Sequence, residues 1–523
     1  MGAILSALLL ILSYPPFDLG WLALVALIPW LRWLRTVPTL RAAWRDGYGL
    51  GLLVFGGTIW WLVHVTVVGT LLLVAYLALY VAAFSAAAAW CLRRLDGRSP
   101  LVTTLVLSSV WTLLEYVRGS VFSGFGWNLL AHTQWRSPLL QTADLVGVYG
   151  VSWLVVFINV GVWQAWPHHL PQAQRAGPLD LPPLAGRQVV GWRHRSLRPA
   201  TAVAVVLALT VGYGTVRRAV VERAAEQGKR VRVALVQGNI PQDQKWDVDY
   251  VELITTRYEA LTRQAARDGA AFILWPETAV PGLANEAEHL LWLETLSRAA
   301  QAPLLVGAPW GTWDPTGQLF NSALLVTPDG WLVDRYDKLH LVPFGEFIPG
   351  ESWLPALGRL RARLPIGRFT PGARETVFRV PTAPPIRLSV LICFEDLFPA
   401  ISRAMVRRGA QVLATITNDA WFGRTAAPIQ HAQASVFRAV EHRVWMLRAA
   451  NTGFSCAIDP LGRIVAAVQG PDGPLGVSGI RVVPMAVASA GPTMYTRWGD
   501  WWLLPCALLV LLPLIPLPTS FRA

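Results

Sequence analysis

Long apolar runs separated by short polar segments fill residues 1–216 and return in residues 496–523. The stretch from Gly47 to Leu92 contains no Asp, Glu, Lys or Arg, and it is long enough for two bilayer crossings with a turn at Thr66–Thr70. The whole pattern predicts eight membrane spans, seven before the long middle segment and one after it. The first run lacks the basic start and the Ala-x-Ala exit of a cleaved signal peptide, so it is counted as a span. The remaining six spans are expected at Ala3–Leu12, Trp21–Leu34, Leu101–Val117, Ala143–Trp166, Ala200–Val216 and Trp501–Leu517.

Arginine is unequally distributed between the short loops that join these spans. Thirteen arginines fall on one side of the bundle, whereas the short loops of the other side carry Arg118 and Arg136. The positive-inside rule therefore places the arginine-rich side in the cytoplasm. Residues 217–495 are then expected outside the cell membrane, in the periplasm of a diderm bacterium. Three arginines at the start of this segment oppose that orientation, but a large domain crosses the membrane largely regardless of such charges.

In residues 217–495, short β-rich apolar runs alternate with helical patterns, which is typical of an α/β layered domain. The strand candidates are Val231–Gln237, Ala271–Trp275, Pro303–Gly307, Arg387–Ile392 and Val412–Thr417. The helix candidates are Tyr250–Arg267, Glu286–Gln301, Pro399–Arg407 and Ile429–Leu447. Turn signals at Pro328–Gly330 and Pro460–Gly462 predict two hairpins. We therefore expect a transmembrane region at 1–216, a soluble α/β domain at 217–495 and a C-terminal transmembrane helix at 496–523.

The composition agrees with a membrane protein and excludes other classes. Hydrophobic residues make up 54% of the chain and charged residues 15%, which excludes an intrinsically disordered chain. The formal net charge of +13 comes mostly from arginines between the apolar runs, so we interpret it as membrane orientation and not as a nucleic-acid-binding surface. The four cysteines do not form the pattern of a disulfide scaffold or of a metal site, and no cofactor is expected.

Three polar residues, Glu277, Lys338 and Cys393, follow predicted strands or lie in the adjoining turns. Taken singly, they have structural explanations as a solvated carboxylate, a surface lysine and a small core residue. Together they can perform nucleophilic catalysis, because a carboxylate can deprotonate a thiol, and an ammonium stabilises both a thiolate and an oxyanion. The N–H of Phe394 would be a second oxyanion donor. Only three of the 45 basic residues are lysine, which favours a specific need for an ammonium at Lys338.

Other polar residues receive structural interpretations. Asn418 and Asp419 are expected to order a strand-to-helix turn, since Asx side chains bond to local backbone. His431 and His442 lack the spacing of metal ligands and are interpreted as structural or surface residues. Lys245 has no assigned role.

Three motifs around the candidate residues resemble, in this order, the Glu–Lys–Cys triad of the nitrilase (carbon–nitrogen hydrolase) superfamily. They are WPE at 275–277, DKLHLVPFGEFIP at 337–349 and LICFED at 391–396. Inserted between the last two of eight spans, such a domain resembles one family, the bacterial apolipoprotein N-acyltransferases. The similarity extends over nearly the whole chain. Further similar segments are YPPFDLGWLAL at 14–24, FSGFGWNLLAHTQ at 122–134, VQGNIPQDQKW at 236–246, LFNSALL at 319–325, TNDAWFG at 417–423, QHAQASVFRAVEHR at 430–443 and RAANTG at 448–453.

The resemblance implies an α-β-β-α sandwich for the domain and a role for each residue of the triad. Glu277 would be the general base, Lys338 the oxyanion stabiliser and Cys393 the nucleophile. Supporting roles are implied for Glu346, Glu395, Asn321 near the lysine and Trp246 near the substrate entrance. Phe394 stands where many relatives have tyrosine, which removes any hydrogen bond through that hydroxyl.

The implied activity is N-acyl transfer from a membrane phospholipid to an apolipoprotein. The sn-1 acyl chain would pass through a Cys393 thioester to the α-amine of an N-terminal S-diacylglyceryl-cysteine, with ping-pong kinetics. We expect a monomeric, multi-pass protein of the bacterial inner membrane.

Two alternatives remain open. In a membrane-anchored amidase or nitrilase, water would replace the lipoprotein amine, and the triad alone does not separate these activities. In a transporter or scaffold, the domain would be inert. The predicted spans contain few polar groups, which disfavours an ion pathway. These groups are His64, Glu115, Asp144 and Asn159.

Overall fold

The computed structural model describes residues 1–96, 98–165, 189–314, 317–330, 332–351, 367–488 and 491–515, which form a helical part and an α/β sandwich. The helices are α1 (Gly2–Ser13), α2 (Ile28–Leu34), α3 (Leu40–Thr58), α4 (Val67–Arg94), α5 (Pro100–Arg118), α6 (Ala143–Ala165), α7 (Val189–Gln227), α8 (Val251–Arg267), α9 (Ala287–Ala300), α10 (Pro399–Arg407), α11 (Ala427–His442), α12 (Met494–Trp498) and α13 (Leu503–Leu509). The strands are β1 (Lys229–Gln237), β2 (Phe272–Leu274), β3 (Leu304–Gly311), β4 (Leu319–Val326), β5 (Leu332–Asp337), β6 (Phe378–Val380), β7 (Ile386–Ile392), β8 (Val412–Thr417), β9 (Trp445–Ala450), β10 (Cys456–Ile458), β11 (Ile464–Ala467) and β12 (Gly479–Val487).

The described residues contain four helical segments that are long and apolar enough to cross a membrane, and not the eight predicted spans. The four segments are Val67–Arg94, Pro100–Arg118, Pro138–Ala165 and Arg198–Gln227, and three shorter apolar helical segments cover Gly2–Ser13, Gly20–Leu34 and Leu503–Leu514. A helix of 12 residues such as α1 is about 18 Å long, which is shorter than the apolar thickness of a bilayer. The apolar runs near both chain ends thus form shorter helical segments in the described residues, and the number of eight spans stays a prediction.

The predicted turn at Thr66–Thr70 lies earlier in the chain than expected. Helix α3 ends at Thr58, and α4 already begins at Val67. The Thr66 side chain accepts a hydrogen bond from the Gly69 N–H, which is the usual way in which a threonine fixes the start of a helix. The turn therefore precedes Val67.

Two six-stranded sheets form the centre of the sandwich. The first has the order β12-β1-β2-β3-β4-β5 and the second β11-β10-β9-β8-β7-β6. The neighbours β1–β2–β3 and β7–β8–β9 run parallel, whereas the outer strands pair antiparallel. Parallel strands with both faces covered require mostly apolar sequence, which explains why the second half of β1, Val233–Val236, and most of β8 are apolar and buried.

Alternating side chains of each strand connect the layers. In β2, Phe272 and Leu274 point between the two sheets, whereas Ile273 packs with Tyr258 of α8 and Leu293 of α9. On the other side, residues of α10 and α11 share a core with the second sheet. The result is the four-layer α-β-β-α sandwich that the resemblance implied.

Helix α11 joins the sandwich to the helical part. The Gln430 amide donates to the carbonyl oxygens of Pro15 and Thr58 at 2.9 and 3.0 Å and accepts from Trp61 Nε1 at 3.0 Å. At the other end of α11, Arg443 forms a buried ion pair with Asp144 at 2.8 Å. A helix buried all round is expected only where it is covered on every side, and here the sheet and the helical part both cover it. The sandwich is therefore fixed directly against the apolar helices.

Candidate active site

The three candidate residues come from three strand ends. Glu277 follows β2, Lys338 follows β5 and Cys393 follows β7. Cys393 opens a short 3₁₀ turn, Cys393–Leu397, and has a φ of +56°. A non-glycine residue in this left-handed region is strained by about 1–3 kcal/mol, and such strain is often found at sites of function. The turn places Cys393, a residue of intermediate exposure, at the edge of the sheet.

Glu277 is buried and held through both of its carboxylate oxygens. Oε1 accepts from Asn321 Nδ2 at 2.7 Å, and Oε2 accepts from the Asn418 N–H at 2.8 Å. Lys338 Nζ lies 3.7 Å from Oε1. Three positive or hydrogen-bonding groups thus hold the carboxylate in one orientation, as a general base requires.

Lys338 is 1% exposed and is paired with Glu346. Its Nζ lies 3.0 Å from Oε1 and 2.9 Å from Oε2 of Glu346. Burial alone would lower the pKa of this lysine, but Glu346, Cys393, Glu277 and Glu395 together raise it above its usual value. Lys338 therefore remains a cation throughout the physiological range, as an oxyanion stabiliser must.

Burial raises the pKa of the Cys393 thiol well above its usual value. Glu277, Asp419 and Glu346 raise it further, and Lys338 lowers it. The resting residue is therefore a thiol. A thiolate forms only when a base accepts the proton during reaction, and this is the function that Glu277 can supply.

Asn321 and Glu346 lie in contact with Glu277 and Lys338. Asn321 Nδ2 bridges the two acids, since it donates to Glu277 and also to Glu346 Oε1 at 2.9 Å. Glu346 Oε2 accepts from the Val342 N–H at 2.8 Å. The lysine, its partner acid and the base are thus parts of one hydrogen-bonded unit.

Glu395 joins the strand end that carries the nucleophile to the one that carries the lysine. Its oxygens accept from the N–H groups of Ile392, Leu339 and His340 at 2.7–3.0 Å and from the Tyr336 hydroxyl at 2.9 Å. Burial raises its pKa to about 7, although these hydrogen bonds and Lys338 act in the opposite direction. Glu395 therefore positions the two strand ends and does not contact the reacting atoms.

Phe394 and Trp246 have different surroundings. The Phe394 ring lies edge-on to Phe398, with a centroid distance of 5.2 Å, and its centroid is 5.4 Å from Lys338 Nζ. Packing thus holds this ring without the hydroxyl of a tyrosine. Trp246 is 46% exposed and contacts Trp313 edge-on at 6.3 Å. An exposed aromatic pair beside the site can contact an incoming substrate.

Four residues have larger roles here than the sequence indicated. The Asn418 N–H binds the base, and its side-chain Nδ2 donates to Gln242 at 2.7 Å, so this turn belongs to the site. His431 and His442 are both buried, which excludes the surface interpretation. Lys245 is also buried and donates to the Glu277 carbonyl oxygen. The signal for Lys245 was the rarity of lysine, but nothing in the sequence indicated its neighbour.

A buried four-charge cluster lies behind the nucleophile. His431 Nε2 lies 2.9 Å from Asp396 Oδ1, and its Nδ1 lies 3.2 Å from Asp419 Oδ1. Arg448 Nη1 lies 2.8 Å from Asp396 Oδ2. The ring of Trp127, from the helical part, covers His431 at a centroid distance of 5.0 Å. Because Asp396 belongs to the Cys393 turn and Asp419 follows the residue that binds Glu277, the cluster connects the nucleophile to its base.

We expect His431 to make stability depend on pH. Burial and Arg448 disfavour its charge, but Asp396 and Asp419 outweigh them and raise the pKa to about 9. A raised pKa in the folded state gives stability that is complete below the unfolded pKa, about 6.5, and is lost as pH rises through about 9. A His431→Asn variant should have a lower unfolding midpoint and a flatter decline over this window, measured by thermal unfolding in detergent. A variant of the exposed His64, His64→Asn, should behave as the wild type; an unchanged pH dependence in His431→Asn would contradict the interpretation.

Comparisons with known proteins agree with both parts of the chain. Residues 6–161 match the family described as apolipoprotein N-acyltransferase N-terminal domain, and residues 232–486 match carbon–nitrogen hydrolase. The chain is 36% identical over 522 residues to the apolipoprotein N-acyltransferase of Geobacter metallireducens, covering 96% of this chain and 92% of the relative. It is 35% identical over 515 residues to that of Methylococcus capsulatus, covering 95% and 92%.

Solved structures also resemble part of the chain. An amidase from Nesterenkonia sp. is 22% identical with a TM-score of 0.38, and the match covers 53% of this chain and 96% of the amidase. The strand order and the layers described above, together with the matched domain, establish the sandwich.

Proposed function

The chain belongs to the apolipoprotein N-acyltransferase family, and we propose that it transfers the sn-1 acyl chain of a membrane phospholipid to the N-terminal amine of a diacylglyceryl-modified apolipoprotein. It is an acyltransferase with a carbon–nitrogen hydrolase domain. The observation that supports this function best is the unit of Glu277, Lys338 and Cys393, which lies in a sandwich fixed against apolar helices.

In the first half-reaction, the donor ester loses its acyl group to the enzyme. Glu277 takes the Cys393 proton, and the thiolate sulfur attacks the ester carbonyl carbon. The Lys338 ammonium and the Phe394 N–H stabilise the oxyanion of the tetrahedral intermediate. When this intermediate collapses, the C–O bond breaks and Glu277 returns the proton to the glycerol oxygen. A lysophospholipid leaves, and a thioester remains on Cys393.

In the second half-reaction, the unprotonated α-amine of the acceptor attacks the thioester carbonyl. Glu277 accepts the proton that the nitrogen loses, and the C–S bond breaks as the amide forms. The proton then passes to the sulfur, which restores the resting thiol. Since one product leaves before the second substrate reacts, the kinetics are ping-pong.

The helical part supports a lipid-facing position of the enzyme. Its described residues contain four candidate spans, and large apolar side chains on α4 are exposed, among them Val67, Val68, Leu71 and Leu72. We infer that the protein is a monomer with eight spans in the bacterial inner membrane and that residues 217–495 lie on the periplasmic side.

Membrane-impermeant thiol reagents should label Cys393 in intact spheroplasts. Labelling of Cys393 only after lysis would place the α/β domain on the cytoplasmic side instead.

Incubation of the purified protein with phospholipid and a diacylated lipopeptide tests the reaction. Mass spectrometry should detect an acyl adduct on Cys393 with phospholipid alone, and N-acylated peptide once the lipopeptide is added. Free fatty acid or ammonia without N-acylated peptide would favour the hydrolase alternative. Absence of any adduct or product would favour an inert domain.

A further inference from the structure

Lys245 lies in the loop between β1 and α8, and it is only 4% exposed. Its Nζ donates to the backbone carbonyl oxygen of Glu277 at 2.9 Å. The next residue, Thr278, has a φ of +45°, so this hydrogen bond holds a strained turn that carries the general base. A buried ammonium is thus placed on the main chain of a catalytic residue.

The loop that carries Lys245 is fixed by residues of the same site. The Ile240 N–H donates to Asn451 Oδ1 at 2.9 Å, and Asn451 Nδ2 donates to Asn418 Oδ1 at 3.0 Å. Gln242 accepts from Asn418 Nδ2 at 2.7 Å, and the Asn418 N–H binds the Glu277 carboxylate. The position of Lys245 is therefore tied to the position of the base.

A count of charges gives Lys245 a second role. Lys338 is neutralised by Glu346, and the buried Asp419 shares the cations His431 and Arg448 with Asp396. The Glu277–Cys393 pair carries one negative charge, first on the carboxylate and then on the thiolate, and it shares the Lys338 cation with Glu346, so Lys338 alone does not compensate both negative charges. A buried uncompensated charge is strongly unfavourable, and Lys245 interacts electrostatically with both members of the pair.

Building on the function proposed above, we propose that Lys245 is a positioning residue that holds the Glu277 turn and supplies the cation that keeps the Glu277–Cys393 pair ionised. Glu277 and Cys393 raise the pKa of Lys245, but burial lowers it more strongly, to about 7. The lysine thus carries its charge below about pH 7. Lys338 does not replace it, because its charge is shared with Glu346.

The pH dependence of Cys393 alkylation by iodoacetamide tests this role in the purified full-length protein. The acid limb is the part of the profile in which the alkylation rate falls toward low pH, and it reports the ionisation of the base Glu277. Glu277 faces Lys245, Lys338 and Cys393, and Glu346 and Asp419 are also close to the thiol. In Lys245→Met we expect the limb to move up by about one to two pH units, so that the rate at a fixed pH on the limb falls about tenfold or more. Lys245→Arg keeps the charge and should restore most of the rate. The matched control Lys229→Met changes an exposed lysine and should not differ from the wild type.

An acid limb of Lys245→Met that coincides with that of the wild type would overturn the proposal. An equal loss at every pH, shared by Lys245→Arg, would also overturn it, because that outcome indicates a structural role only. If Lys245→Met does not purify as a folded protein, Lys245→Gln is read by the same criteria. Alkylation needs no lipid, so this test is independent of the acyl-transfer reaction. If the acid limb shifts in Lys245→Met but the wild-type enzyme forms no thioester with phospholipid, the proposed function is refuted and the role of Lys245 stands.

Discussion

Replacing Cys393 by alanine is expected to reduce acyl transfer by about 10⁴-fold or more. The reaction needs a nucleophile that carries the acyl chain between two substrates, and without the sulfur no thioester forms. The amine would then have to attack the phospholipid ester directly, with the oxyanion groups alone. Mass spectrometry of the variant after incubation with phospholipid should show no acyl adduct, and N-acylated lipopeptide should not accumulate.

The fold should survive this change, because Cys393 is a free cysteine in a residue position of intermediate exposure. The matched control is Cys456→Ala, which removes a buried sulfur from β10, outside the site. This control is expected to lose about 1 kcal/mol or more of stability but to keep the adduct. Retained transfer in Cys393→Ala would exclude a thioester route and would restore the scaffold alternative for this domain.

Replacing Glu277 by glutamine is expected to reduce the rate of thioester formation at pH 7 by about 10³-fold. The amide cannot accept the thiol proton. In addition, its NH₂ group would face either the Asn321 amide or the Asn418 N–H, both of which are donors in the native site. The position therefore loses its base and one hydrogen bond. Single-turnover formation of the Cys393 adduct measures the effect.

The pH dependence of this variant separates lost base catalysis from lost structure. Burial raises the pKa of the Cys393 thiol well above its usual value, so hydroxide must generate the thiolate in Glu277→Gln. The rate should then rise about tenfold per pH unit above neutrality, which the wild type should not show. The control Glu286→Gln changes an exposed acid at the start of α9 and should match the wild type. A flat profile in Glu277→Gln would contradict a base function.

The order and type of the main elements of the α/β domain could be predicted from sequence. Strand β8 and helix α10 have the predicted bounds, and hairpins occur at both predicted turns. The predicted helix Ile429–Leu447 was too long, because Arg443 adopts a left-handed conformation with φ +55° and β9 begins at Trp445. Apolar periodicity cannot distinguish the end of a buried helix from the start of a buried strand. Near both chain ends, apolar composition likewise did not indicate where one helical segment ends and the next begins.

The sequence by itself predicted the chemistry of the site, since the order of a carboxylate, a lysine and a thiol at strand ends indicated a nucleophile with its base and oxyanion stabiliser. Only the tertiary structure decided which groups control that chemistry. The Asn418 N–H reaches Glu277 across 141 positions of the chain, and Lys245 reaches the Glu277 carbonyl across 32. His431 lies between two aspartates from different turns. Local patterns reflect which face of an element is buried, whereas the ionisation of buried groups depends on charges that folding brings together from distant segments.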